Sequence, residues 1–136
     1  MPPAVRLYAA VGLGSGLGAL ARYLVSLGLV ALLGSGFPWA TLAVNVVGSF
    51  LIGFYATLTE PDGRLFVRPA VRQFVLAGFC GGFTTFSIFS LETLRLAEAG
   101  NHGLAVIHVA VSIVLWLVAV WMGWRLAERL NRLKGA

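Results

Sequence analysis

The chain has 136 residues, 59% of them hydrophobic and 11% charged, with a mean hydropathy of +0.90. That is the profile of a membrane protein and excludes an ordinary soluble domain. The net charge of +5 does not point to nucleic acid, because the basic residues collect at the chain ends and in one loop, where they report topology.

Four long apolar runs follow one another: Leu7 to Leu33, interrupted by Arg22; Phe37 to Thr59; Phe74 to Leu91; and Gly103 to Trp124, which carries only His108. Each is close to the roughly 20 residues that cross a ~30 Å hydrocarbon core. The expected architecture is a single all-α domain over 1–136, with transmembrane helices at about 5–33, 37–59, 70–96 and 103–126. The first run is too long for the apolar part of a signal peptide and is expected to remain as a span. The connections are short, so function is expected inside the membrane. Cys80, the one cysteine, excludes an internal disulfide or a cysteine-bound metal cluster and reads as a small packing residue.

With four spans, Arg6, Arg64, Arg68, Arg72, Arg125, Arg129, Arg132 and Lys134 share one side, and Arg95 lies toward the other. The positive-inside rule then puts both termini in the cytoplasm. Arg125, Arg129, Arg132 and Lys134 are expected to anchor the last helix at anionic lipid. Four helices do not easily enclose a polar path, because side chains fill the middle of such a bundle, so oligomerisation is the natural remedy.

The first span carries two interleaved G-x-x-x-G spacings, Gly12 with Gly16 and Gly14 with Gly18, which serve helix packing within one subunit or between subunits. Arg22 lies too deep to snorkel easily. It should face a wet vestibule that attracts anions, or form an ion pair, with Glu92 as the candidate. In the second span Thr41, Asn45, Gly48 and Ser49 fall on one polar or small face. The Asn45 amide can donate two hydrogen bonds and accept others, to a neighbouring helix or to a ligand.

The third span contains GFCGGFTTFSIFSLET. Gly81-Gly82 and Thr84-Thr85 weaken a helix, so a break near Gly81 to Thr85 is expected. Irregular backbone at membrane depth is tolerated only where it is buried in protein or lines a cavity, and freed carbonyls there become cation ligands. Phe86 and Phe89, at i and i+3, should face the same way, beside the hydroxyls of Ser87 and Ser90. An aromatic ring has a positive edge at which an anion can sit, although a Phe pair at this spacing also serves packing. The fourth span sets His108 and Ser112 four residues apart, with Trp116 a turn further. A lone histidine there reads as a packing residue rather than a metal ligand.

GGFTTFSIFS, with NVVGSFLIG of the second span and GALARY of the first, resembles the Fluc (CrcB) family of fluoride channels across all four spans. The resemblance implies a bacterial plasma-membrane protein that exports fluoride passively. Two subunits would insert antiparallel, with two narrow pores at their interface. It further implies that Phe86 and Phe89 line the pore, that Asn45 hydrogen-bonds the ion, and that Thr85, Ser90 and Ser112 add polar contacts. Glu92 would stand near the far end of the pore and Arg22 would draw anions into the vestibule, while main-chain carbonyls of Gly81 and Thr84 would hold a structural sodium ion on the dimer axis. Fluoride is small and strongly hydrated, so a tight site must return its hydration through short hydrogen bonds that chloride is too large to collect.

Two residues depart from the family pattern. Ile88 stands where many relatives have threonine and removes one hydroxyl, and His108 stands where many have tyrosine, bringing a group whose protonation would make conduction pH-dependent. The eight-to-one bias of basic residues also argues against a chain that inserts both ways. A homodimer is expected nonetheless, and pairing with an oppositely oriented paralogue is the alternative. A small multidrug exporter would want a carboxylate in the first span, where this chain has Arg22. No catalytic constellation can be assembled from two histidines and five acidic residues, so an enzyme is not expected. A purely structural assembly protein would need no dry polar track.

Overall fold

A computed structural model describes residues 2–132 of the chain; Lys134 of the basic tail lies outside the described residues. Every described regular element is helical, and four helical stretches are long and apolar enough to cross a membrane: Pro3–Leu33, Trp39–Leu58, Pro69–Glu98 and His102–Arg132. α1 (Pro3–Leu33) starts with Pro3 in its first turn, where the missing N–H costs nothing, and stops at Gly34, whose φ of 76° ends the helix. α2 is Trp39–Leu58.

The third stretch is assembled from pieces. α3 (Pro69–Gln73) leads into a π-helical run, Phe74–Cys80, followed by one short turn, α4 (Gly81–Phe83). Thr84 and Thr85 are then extended, with φ, ψ of −83°, 159° and −152°, 123°. α5 (Phe86–Glu98) restarts with Thr85 as its cap, the hydroxyl accepting from the Ile88 N–H at 3.2 Å. α6 (His102–Arg132) follows a turn through Gly100, φ 79°.

Close backbone approach holds the bundle together. α1 lies on the π-helical run and α4, and α2 lies mainly on α6, with α5 packed against α6. A Cβ on Gly14 would fall on the Phe74 carbonyl oxygen and 2.9 Å from the Gly78 Cα, and one on Gly18 would fall on the Phe79 carbonyl oxygen. Gly12 and Gly16 meet nothing within 4 Å. Of the two glycine ladders, then, one is internal packing and the other faces out. Across the bundle, Gly53 and Gly123 let α2 and α6 approach in the same way, against the Val120 and Phe50 carbonyls respectively.

Little of the first span is covered: its only buried residues are Gly14 and Gly18, while Leu13, Leu17, Leu20 and Leu24 are exposed. Such a surface requires lipid or another protein over it. The basic residues gather at one end. There the Arg64 main-chain N–H donates to Asn131 Oδ1 at 2.8 Å, its guanidinium donates to the Leu130 carbonyl at 3.1 Å, and Arg72 Nε donates to Thr59 Oγ1 at 3.1 Å. At the same end the Arg125 guanidinium lies 5.8 Å from the Trp121 ring centre and 5.9 Å from that of Trp124.

Candidate functional site

The interruption of the third stretch is held by α2. Asn45, buried, uses both ends of its amide on one residue: Nδ2 donates to the Thr85 carbonyl at 2.9 Å, and Oδ1 accepts from the Thr85 N–H at 2.7 Å. In an uninterrupted helix that N–H would reach the Gly81 carbonyl, so the Gly81 oxygen loses its helical partner. One turn along α2, Gly48 leaves room for Thr84, whose methyl occupies the place a Cβ there would take. Thr84 itself turns back, its N–H and hydroxyl both donating to the Cys80 carbonyl, at 3.0 and 2.8 Å. The polar and small face of α2 is thus the surface that receives the extended residues.

Past the interruption the two phenylalanines differ in burial. Phe86 is 71% exposed and Phe89 5%, with ring centres 5.5 Å apart and planes tilted by 44°, so the two rings are neighbours that differ in burial within a single chain. The difference in burial follows from position. Phe86 is the first residue of α5 and stands at the rim, whereas Phe89 turns inward onto α6. There its ring lies 4.9 Å from His108 and 4.9 Å from Trp116, the latter edge to face at 70°. His108 is also met edge-on by Phe37 at 5.5 Å, a residue in the turn before α2 that the sequence did not single out.

Around this aromatic cluster lie polar atoms with no hydrogen-bond partner. Ser112 Oγ, both ring nitrogens of His108, Glu92 Oε2 and Trp116 Nε1 are buried and unpaired, and Glu92 Oε2 approaches His108 Nε2 only to 3.9 Å. Each such group costs about 1–3 kcal/mol if nothing else satisfies it. Buried polar groups are nearly always paired, so a run of exceptions along one face of α6 marks a place where a water or an ion belongs. Trp116 escaped assignment from sequence; its only signal was spacing, one turn beyond Ser112 and two beyond His108 on the same face.

The remaining candidates divide among three open spaces. Arg22, Thr41, Thr85, Ile88 and Glu92 line a cavity of about 380 Å³, with Arg22 Nε buried and unpaired. No ion pair joins Arg22 to Glu92 among the described residues, so the ion-pair reading of Arg22 is not met. Glu92 also lines a second cavity, of about 310 Å³, with Arg95 and Phe37, and so stands between the two spaces. Asn45, Ser49, Thr84, Thr85, Phe86 and Trp116 line a groove of about 190 Å³ on the outer side. Ser90 is exposed, its hydroxyl donating back to the Phe86 carbonyl at 2.9 Å, and the Ser87 hydroxyl pairs with Thr85 Oγ1 at 3.3 Å. No group of three or more His, Cys, Asp or Glu able to hold a metal occurs among the described residues.

These features define a small polytopic membrane protein whose third helix is interrupted against a buried asparagine, with unpaired donors gathered just beyond. Residues 9–124 match the family model described as CrcB-like protein, Camphor Resistance (CrcB), and the chain belongs to that family. It is 58% identical over 129 residues to the fluoride-specific ion channel FluC 1 of Rhodopseudomonas palustris, covering 95% of this chain and 92% of the relative. A protein of the same name from Bradyrhizobium diazoefficiens is 59% identical over 128 residues, covering 94% and 89%. The fluoride-specific ion channel FluC of Opitutus terrae is 55% identical over 131 residues, covering 96% and 98%. The family is one of ion channels, not of enzymes.

Proposed function

We propose that this chain is a fluoride-selective channel that lets fluoride leave the cell passively across the bacterial plasma membrane. Two copies, inserted antiparallel among membrane lipids, form two pores at their interface. The observation that carries the reading is the 58% identity to a protein named a fluoride-specific ion channel, over 95% of the chain. The geometry supports it: the interruption, the exposed Phe86 ring and the unpaired donors adjoin one another.

In this reading Arg22 concentrates anions in the wet cavity, and a dehydrated fluoride meets neutral donors in turn. Asn45 has given one amide hydrogen to Thr85 and keeps the second for the ion. The ring edges of Phe86 and Phe89 supply weak positive potential without a charge that would hold fluoride fast. Ser112 and His108 offer donors that make no hydrogen bond within the chain, and Glu92 stands at the far end. The hydroxyls of Thr85 and Ser90 contribute by rotating away from their present bonds.

The Gly81 carbonyl, deprived of its helical donor and exposed, is a hard oxygen ligand suited to sodium. With the Thr84 carbonyl and the same pair from a second copy it would hold a structural sodium ion. Bound there, the ion would lower the cost of an anion nearby in low dielectric.

A second reading, one subunit of a heterodimer, is favoured by one observation: among the described residues the arginines crowd one end of the bundle while Arg95 stands at the other. The test is fluoride efflux from liposomes that contain only this purified chain, with chloride as control and Phe86→Ile and Asn45→Asp as variants. Fast, fluoride-selective efflux that both variants abolish supports a channel made of one kind of chain. Silence that a co-reconstituted paralogue relieves supports the heterodimer, and silence with every partner overturns the channel reading.

A further inference from the structure

We propose that Trp116 is an ion-contacting and specificity-determining residue of the path, its indole N–H taking the place of one water of the hydrated anion between the Asn45–Phe86 groove and the Ser112–His108 cluster. The inference rests on the channel reading above and extends it to a residue that this reading does not use. Three observations converge on Trp116. It lines the groove of about 190 Å³ together with Asn45, Thr85 and Phe86. Its Nε1 is nevertheless buried, and no acceptor of the protein reaches it. Its ring is held edge to face against Phe89 at 4.9 Å, which limits its freedom to turn elsewhere for a partner.

An indole N–H donates and cannot accept. A partner from outside the chain would have to be an acceptor small enough for the groove. Water meets that description, and so does fluoride. The surroundings favour the anion as it sheds water, because a fixed donor in an apolar setting needs no reorganisation and gains strength where the dielectric is low. A cation finds no ligand in an indole N–H, so the same group disfavours sodium or potassium in the path. Among His108, Ser112 and Trp116, which share a face of α6, Trp116 alone lines the groove as well, which suits a hand-over position.

Two readouts test this on the full chain. In the first, protein carrying nitrogen-15 in its four tryptophan side chains is titrated in micelles with sodium fluoride, and with sodium chloride at equal ionic strength. The Trp116 indole resonance is assigned by its loss in Trp116→Phe, or in Trp116→Tyr should the first variant fold poorly. The expected result is a saturable downfield movement of that proton in fluoride only; no movement overturns the proposal, and equal movement in chloride overturns the specificity. In the second, Trp116→Phe, which keeps a ring against Phe89 and loses the donor, should slow fluoride efflux about tenfold, the usual worth of one hydrogen bond to a charged partner. Trp116→Tyr, which restores a donor, should recover part of the rate. If the unaltered chain conducts and Trp116→Phe conducts equally fast, this inference falls while the channel reading stands. If the unaltered chain passes no fluoride with any partner, the channel reading falls, and the titration alone decides whether Trp116 binds the ion.

Discussion

Replacing Asn45 by alanine removes the side chain that joins α2 to the extended residues of the third stretch by hydrogen bonds to both the carbonyl and the N–H of Thr85, at 2.9 and 2.7 Å. The Thr85 N–H and carbonyl are then left unpaired inside the protein. In water-soluble proteins that would cost about 1–3 kcal/mol per group. Hydrogen bonds between membrane helices measure less, about 0.6 kcal/mol on average and about 1.7 at most, because the unfolded chain in the bilayer finds substitutes. Thr85 has an obvious substitute, the Gly81 carbonyl, but reaching it requires Thr84 and Thr85 to leave their extended conformation, which the methyl of Thr84 against Gly48 opposes. The expected loss is therefore near the upper membrane value for each bond, about 3 kcal/mol in total. Unfolding in mixed detergent–dodecyl sulfate micelles, followed by helical circular dichroism, measures it. Asn45→Asp adds a check on the amide orientation: it keeps an acceptor for the Thr85 N–H but turns a second oxygen toward the Thr85 carbonyl. It should destabilise at least as much at neutral pH. An Asn45→Ala variant within about 0.5 kcal/mol of the unaltered chain, inside the range of an ordinary surface change, would refute the reasoning.

Four further outcomes are expected. Gly14→Ala should cost about 1–3 kcal/mol, because its methyl lands on the backbone of Phe74 and Gly78, which cannot rotate aside. Gly12→Ala should leave the fold of the single chain intact and gain up to about 1 kcal/mol of helix propensity, so any loss it causes in a size-exclusion assay of oligomeric state locates a neighbouring copy on that face. Ser112→Ala removes a buried hydroxyl with no protein partner, so thermal unfolding should show no loss of stability, or a gain of about 1 kcal/mol, while fluoride efflux slows; a clear loss of stability would mean that Ser112 has a partner. Arg22→Gln should slow fluoride entry most at low ionic strength, with the difference narrowing toward about 1 M salt, where the screening length is about 3 Å; an effect independent of salt would assign Arg22 a structural role.

Much of the candidate site could be read from the chain because membrane burial leaves few polar residues to choose among. Asn45, Thr85, Ser112 and Arg22 stand out for being polar at depth, where a hydrogen-bonding group without a partner is costly. Trp116 and Phe37 did not stand out, because an aromatic residue in an apolar run is unremarkable until its neighbours are known. Nor could the unequal burial of Phe86 and Phe89 be read, since i, i+3 spacing predicts a common side but not where the helix begins, and the start of α5 at Phe86 leaves that ring at the rim.

The sequence by itself determined the four spans, their apolar surfaces and the weak point at Gly81 to Thr85, since run length, hydropathy and helix propensity are local properties. Only the tertiary structure decided which glycine ladder of α1 is internal. Gly12 with Gly16 and Gly14 with Gly18 have the same spacing, and the choice depends on the face that the π-helical run approaches. It also decided that Asn45 serves the Thr85 backbone, and that the polar atoms of Glu92, His108, Ser112 and Trp116 remain unpaired around Phe89. Whether a buried polar group is satisfied depends on atoms brought from other helices, and no local pattern along the chain records where those atoms will be.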